Sequence, residues 1–359
     1  MGSGTKITAI IPAHNEEAGI TEAVLGLRNQ TRPPDSIIVV CDNCVDRTAI
    51  LAREAGAHVM HTLNNKSKKG GALNFALRKV LPLCGDKDLI LIQDADSALD
   101  SDFVELAETR HNKRRHHAEP PLGAIGGIFR GSEGGGFVGH LQRNEYARYA
   151  RDVKRLGGKC LVVTGTAAMF RAKVLREISQ GRLNGTLPSG DKQGGVYDTT
   201  VLTEDNEITF ALLHLGYRVL SPPECTLVTE VMKTWKELCL QRLRWKRGAI
   251  ENCIQYGLTK VTWRYWGRQV LTAFGVLVTA VYLASIAASI FFYGGINLQP
   301  IWLAVTGIFV VERIVTVRYR GWKYMVVAAT MYEMILDFVL QAVHAVAYFQ
   351  AAFRLERKW

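Results

Sequence analysis

The sequence predicts an α/β protein: a parallel, doubly wound sheet, then a basic amphipathic helix, then an apolar C-terminal region. Three observations carry this. Apolar runs of strand length alternate with helical stretches of about ten residues through the first part of the chain. Three of those runs end in polar or acidic residues. Far downstream, no charged residue occurs between positions 270 and 293, which is long enough to cross a hydrocarbon core of roughly 30 Å.

The opening stretch "KITAIIPAHNEEAGI" reads as a buried strand, a polar turn and a helix start. Glu16 and Glu17 fall in the first helical turn, where the dipole favours carboxylates. The pattern repeats as strand 36–40, helix 46–55, strand 57–61, helix 70–80 and strand 88–93. Ligands of such sheets bind beyond the carboxyl ends of the strands. His14 and Glu16, Asp42 and Asp46, and Asp94 and Asp96 are therefore expected along one crevice. Further on, "HNKRRHHAEPP" (111–121) reads as a solvated basic loop, and the Gly-rich stretches 131–139 and 181–195 read as mobile loops. A helix of period 3.6 opens at Thr203, Glu204 and Asp205.

The tail divides into two to three expected membrane helices, at about 270–293, 297–312 and 324–350. In the third, Glu333, Asp337, Gln341 and His344 fall on one face, with Arg313 as a partner; such groups face protein or water rather than lipid. Basic residues precede the first span, and Arg313, Arg318, Arg320 and Lys323 lie between the second and third, which places both clusters in the cytoplasm. The expected division is a cytoplasmic domain at 1–232, an amphipathic interface region at 233–268 and a transmembrane region at 269–359, giving a multi-pass inner-membrane protein. The formal net charge of +11 suits an anionic membrane surface. It collects in loops and beside the apolar segments without a nucleic-acid-binding module, so nucleic acid is excluded as a partner.

"CDNC" (41–44) raises the question of thiol or metal chemistry. The other five cysteines supply no second close pair for a zinc site, and Asp42 between the thiols opposes a thiolate. The carboxylates carry more information. Asp94 and Asp96, two apart at a strand end, suit a hard divalent cation whose remaining positions a diphosphate fills. Lys68, Lys69 and two glycines open a helix where phosphate oxygens are favoured. Gln241, Arg244 and Trp245 share one helical face just before the first span.

The ordered set "IPAHNEE", "CDNCVDRT", "KGGALN", "DAD", "TED" and "QRLRW", followed by apolar helices, resembles the family 2 glycosyltransferases. More narrowly it resembles their membrane-integrated branch, which includes cellulose, chitin and hyaluronan synthases. The resemblance implies a GT-A fold, Rossmann-like, and inverting transfer from a nucleotide sugar, UDP-glucose or UDP-N-acetylglucosamine, to a growing polysaccharide. It implies that Asp42 and Asp46 contact the nucleoside, that Lys69 lies near the uridine or the diphosphate, and that Asp94 and Asp96 bind the sugar nucleotide with Mg2+ or Mn2+. Asp205 is implied as the catalytic base, with Glu204 and Thr166, in "VTGTAAMFR", on the acceptor side. Gln241 and Arg244 are implied on the diphosphate, and Trp245 on the acceptor sugar. Two or three spans are few for a polysaccharide channel. Either protomers associate through their membrane helices, or the enzyme adds few sugars, to a polyprenyl phosphate or another lipid acceptor.

Overall fold

The computed structural model describes residues 4–113, 119–295, 300–318 and 321–356. Part of the basic loop 111–121, the start of the span expected at 297–312, and Arg320 lie outside the described residues. In chain order the elements are β1 (Ile7–Ala13), α1 (Ile20–Arg28), β2 (Ser36–Cys41), α2 (Thr48–Glu54), β3 (His58–His61), α3 (Lys68–Val80), β4 (Leu89–Gln93) and β5 (Ser97–Leu99). Next come α4 (Phe103–Asn112), β6 (Leu122–Gly126), β7 (Ile128–Gly131), α5 (Gly136–Arg155), β8 (Ala167–Arg171), α6 (Ala172–Leu183), α7 (Glu204–His214), β9 (Arg218–Leu220) and β10 (Thr226–Thr229). The remainder is helical: α8 (Trp235–Tyr256), α9 (Trp263–Tyr293), α10 (Pro300–Val317), α11 (Trp322–Ala329) and α12 (Met334–Ala352).

The chain forms two compact units. One comprises the residues up to Ser132 together with Asp152–Glu230. Its seven-stranded sheet has the order β3-β2-β1-β4-β8-β6-β9. β1, β2 and β4 are fed by βαβ crossovers and covered on both faces, so they are mostly apolar, and Ile7, Ile11, Val39, Leu89 and Leu91 lie fully buried. The expected all-parallel sheet is corrected in one place. β8 runs antiparallel between β4 and β6, in register from Leu89 opposite Arg171 to Gln93 opposite Ala167. A three-stranded sheet, β5-β10-β7, completes the unit. The chain builds β1 to β3 outward on one side and then returns to place β4 on the other side of β1. A ligand-binding crevice opens at such a reversal.

The Gly-rich stretch 181–195, expected to be mobile, is tied down instead. Its first residues finish α6. Asp191 then accepts from the Gln193 and Thr199 amides and the Thr199 hydroxyl, while Asp198 accepts from Gly190 N and from Thr200.

The second unit comprises Glu133–Arg151 and the residues from Val231 onward, so the helix around 136–151 leaves the domain expected at 1–232. α8 opens with a capping box between Thr234 and Glu237 and packs an apolar stripe, Leu243 and Ile250, against Ala347 and Ala351 of α12. α9 begins at Trp263, so the boundary expected at 268/269 falls inside one helix. Of the described helices, α9 and α12 are long and apolar enough to cross a membrane, and α9 exposes Leu271, Phe274 and Leu277 along its length.

The third expected span, 324–350, is not one helix. α11 stops at Ala329, Met331 takes a left-handed backbone (φ 58°), and α12 starts after Glu333. Glu333 is 2% exposed and accepts from Asn144 Nδ2 (2.8 Å), Arg148 Nη1 (2.5 Å) and Arg313 Nη1 (3.2 Å). A carboxylate held by two guanidiniums fixes where the chain must turn, and the apolar run breaks there. Arg313, counted above among the loop charges, lies inside α10 and binds Glu333 and Asp337.

Candidate active site

The site of the first unit is built from the carboxyl ends of β1, β2 and β4. Two asparagines in left-handed backbone, Asn15 (φ 56°) and Asn43 (φ 52°), make the sharp exits from β1 and β2, a conformation Asn tolerates better than most residues. The exits are laced together. Val45 N donates to Asn15 Oδ1 (2.9 Å), Asn15 N approaches Cys44 Sγ (3.4 Å), and His14 Nδ1 donates to the Asp42 carbonyl (2.5 Å). A cleft of about 190 Å3 lies above them, lined by His14, Glu16, Asp42, Lys69, Asp94 and Asp96 among others. Of the residues expected along one crevice, His14, Glu16, Asp42, Asp94 and Asp96 line this cleft and Asp46 does not.

Asp42 is 6% exposed and held by Thr62 Oγ1 (2.6 Å) and by Asn65 Nδ2, which reaches both carboxylate oxygens (2.9 Å). Asp46 caps the turn before α2, accepting from Thr48 N and Oγ1 and from Glu17 N. Desolvation works against its charge, but these donors hold its carboxyl below the usual range. Burial, and then the neighbouring Cys44, push Cys41 up to about 12, and Cys44 Sγ hydrogen-bonds the Ala13 carbonyl.

Lys69 joins two distant parts of the chain. Its ammonium lies 2.6 Å from Asp94 Oδ1, 3.1 Å from Glu204 Oε1 and 3.1 Å from the Gly165 carbonyl, one acceptor for each of its three protons. Burial opposes the charge, yet Asp94 and then Glu204 outweigh it and raise the Lys69 pKa. Burial likewise raises Asp94, with Lys69 pulling the other way. The antiparallel β8 makes this meeting geometrically accessible, because its first residues arrive at the edge where β4 ends. Asp94 N donates to the Thr166 carbonyl (2.9 Å), and the Thr166 and Thr164 hydroxyls are 2.7 Å apart. Gly165 lets the backbone approach; a Cβ there would stand 3.3 Å from Asp205 Cβ and 3.5 Å from Lys69 Nζ. Glu204 and Asp205 begin α7, and both line a small pocket behind Lys69 with Gly165 and Tyr197. Burial raises the Tyr197 hydroxyl above its ordinary value.

Asp96 is exposed, accepting from Ser97 Oγ (3.1 Å). Burial, followed by the charges of Asp96, Glu230, Asp94 and Asp46, raises the Glu16 carboxyl above its ordinary value of about 4.5. A raised folded-state pKa means that Glu16 contributes stability below its unfolded value and loses it as pH rises through the folded value. The expected result is that Glu16→Gln melts higher than the parent at pH 7, by roughly 1–3 °C, with the gap closing below about pH 4. Melting curves between pH 4 and 8 check this, and a gap independent of pH refutes the repulsion.

Gln241, Arg244 and Trp245 lie on α8, in the other unit. Gln241 Oε1 accepts from Arg242 Nη1 (2.8 Å), Arg244 is exposed, and Trp245 is 37% exposed. The residues missed from sequence are Thr62, Asn65, Tyr197, the Gly165 carbonyl and Glu230. Each is placed by long-range pairing; Gly165 stands in "VTGTAAMFR", where nothing singles out its carbonyl, and the others stand in no quoted motif.

The profile of the family described as Glycosyl transferase family 2 matches residues 8–179. Poly-beta-1,6-N-acetyl-D-glucosamine synthase of Staphylococcus aureus (strain COL) is 24% identical over 253 residues, covering 68% of this chain and 55% of that protein. The same-named protein of Staphylococcus epidermidis is 23% identical over an equal stretch. The chain thus spans about half the length of these relatives. Among solved structures, a mannosyltransferase from Pyrobaculum calidifontis in complex with GDP-Man and Mn2+ superposes with a TM-score of 0.64 at 18% identity, over 99% of this chain and 89% of the other. At that identity the likeness speaks for the fold.

Proposed function

We propose that this chain, whose residues 8–179 match the family 2 glycosyltransferase profile, catalyses metal-dependent, inverting transfer of a sugar from a nucleoside diphosphate sugar to a glycan at a membrane. The observation that carries the reading is the convergence of Lys69, Asp94, Glu204 and the start of α7 at the mouth of the acidic cleft. Asp42, with Asp46 bracing its turn, receives the nucleoside. Asp205 accepts the proton of the acceptor hydroxyl as that oxygen attacks the anomeric carbon. The bond to the diphosphate oxygen breaks, and its electron pair leaves with the nucleoside diphosphate. Lys69 holds Asp94 and Glu204 at a set separation through this step and offsets part of the growing charge. Thr166 and Glu204 border the acceptor side; Gln241 and Arg244 contact the diphosphate, and Trp245 stacks on the acceptor sugar.

Burial, and then the charges of Asp96, Glu230, Asp94 and Asp46, raise Glu16, and Mg2+ or Mn2+ held through Asp96 with Asp94 would relieve that concentration of charge. When bound, the cation neutralises diphosphate charge. The name of the Staphylococcus relatives supports a polymer of N-acetylglucosamine as product, and the donor in this reading is UDP-N-acetylglucosamine. A second reading, GDP-mannose as donor with a lipid acceptor and short product, draws on the donor in the mannosyltransferase that covers 99% of the chain. α9 and α12 supply the membrane attachment, and association of protomers through them remains part of the polysaccharide reading.

The test is turnover by the full chain in nanodiscs against a panel of UDP- and GDP-sugars with Mn2+ or Mg2+, scored for released nucleoside diphosphate and product size. Long product from UDP-N-acetylglucosamine supports the first reading, and short lipid-linked product from GDP-mannose the second. Asp96→Ala is expected to weaken metal-dependent nucleotide binding by at least about tenfold. Equal calorimetric affinity with and without Mn2+, in parent and variant alike, refutes the metal assignment.

A further inference from the structure

Arg242 stands inside "QRLRW" but is not one of the three residues that the motif singles out, and it is the most connected side chain of the segment. It is 5% exposed. Its Nη2 donates to Glu145 Oε2 of α5 (2.8 Å), its Nη1 donates to Gln241 Oε1 (2.8 Å), and its guanidinium lies 4.2 Å from the centroid of the Trp245 ring and 5.8 Å from that of Tyr146. α5 is itself anchored. Asn144 and Arg148, which flank Glu145, hold the buried Glu333 at the head of α12.

Two consequences follow from elementary chemistry. A guanidinium has only donors, so the atom of Gln241 that faces it must be the amide oxygen. The amide is thereby kept from flipping, and its NH2 is the end left to meet a ligand oxygen. A guanidinium stacked on an indole also sets the ring plane, at a cost in entropy already met by the bond to Glu145. Trp245 thus has one face covered while the side chain retains 37% exposure.

We propose that Arg242 is a positioning residue: anchored to α5 through Glu145, it sets the amide orientation of Gln241 and the ring plane of Trp245 for the donor diphosphate and the acceptor sugar. This rests on the proposed contacts of Gln241 and Trp245, and the experiment separates the two claims.

The full chain in nanodiscs is assayed for turnover of UDP-N-acetylglucosamine and GDP-mannose with Mn2+, and for calorimetric Kd of UDP and GDP. The variants are Gln241→Ala/Trp245→Ala, Arg242→Met, Arg242→Lys, Glu145→Gln, and the triple variant joining the first two. Arg242→Met is expected to lower kcat/KM of the order of 100-fold. The triple variant is expected to fall within about twofold of the double, because Arg242 acts only through residues already removed. Arg242→Lys keeps a charge for Glu145 without the planar fork; it should melt like the parent yet remain impaired. Glu145→Gln should shift turnover in the same direction by less. If Arg242→Met does not fold, Arg242→Lys and Glu145→Gln carry the same comparison against the double variant.

Multiplicative losses in the triple variant, or full kcat per folded molecule in Arg242→Lys, overturn the positioning role while the proposed contacts stand. Parent-like turnover and nucleotide affinity in the double variant overturn both.

Discussion

Asp205→Asn is expected to lower sugar transfer by about 10²–10⁴-fold, the range for loss of a general base, while the affinity for the nucleoside diphosphate stays near that of the parent. The substitution is nearly isosteric. The existing bond from Asn206 N to Asp205 Oδ1 (2.8 Å) can pass to the amide oxygen, so the start of α7 keeps its shape. What disappears is the capacity to take a proton. Glu204 is the competing candidate, since it begins the same helix and lines the same pocket. It already accepts the Lys69 ammonium at 3.1 Å and so is engaged in the clamp. Glu204→Gln should therefore weaken the clamp around Lys69 and reduce turnover less than Asp205→Asn. Measured kcat for the two variants, alongside UDP binding, decides the matter. Nucleotide binding lost together with turnover in Asp205→Asn makes that residue structural, and a larger kcat loss in Glu204→Gln moves the base to Glu204.

The largest effect on stability is expected at Arg182 and Glu207. Their side chains are 0% exposed, and Arg182 Nη2 lies 2.6 Å from Glu207 Oε2. Arg182 also donates to the carbonyls of Pro188 and Val196, so one guanidinium ties the stretch after α6 to the helix that carries Asp205. Arg182→Met leaves a buried carboxylate without its cation, at about 3–5 kcal/mol. Arg182→Met/Glu207→Leu should recover part of that loss by removing the stranded charge; the two carbonyls account for the rest. Thermal melts measure the cost. Trypsin reads the local effect, because cleavage after the exposed Lys192 should accelerate once the stretch is released. A melting temperature unchanged in the single variant would show that the pair contributes nothing net.

Much of the first unit was legible because its signals are local. Runs such as "ITAII" and "LILIQ" are apolar because both faces of those strands are covered, and the residues that follow a parallel strand lie at a predictable edge. Asp42, Asp94 and Asp96 could be placed on that basis alone. Lys69 with Glu204 could not, since 135 positions separate them and neither residue type specifies its partner. The direction of β8 was equally hidden: "AAMFR" reads the same whichever way it enters a sheet. The turn at Thr330, Met331 and Tyr332 contains no Gly or Pro, so the apolar run around it looked continuous. The break comes from Glu333 and two arginines brought from α5 and α10. Arg242 stood in plain view, but its role depends on Glu145, which no spacing connects to it.

The antiparallel entry of β8 also bears on how the chain is made. β1 to β4 pair with near neighbours in sequence, and all of them have emerged by residue 93. The partner of β4 on its other side ends at Arg171, and Glu204 emerges later still. At common rates of synthesis, roughly 5–20 residues per second, a nascent chain carries the acidic strand ends for several seconds before the clamp on Lys69 is complete. During that interval the acidic strand ends exist without Glu204 and the start of α7. Under the proposed function, the order of the strands thus delivers the residues assigned to the donor before those assigned to transfer.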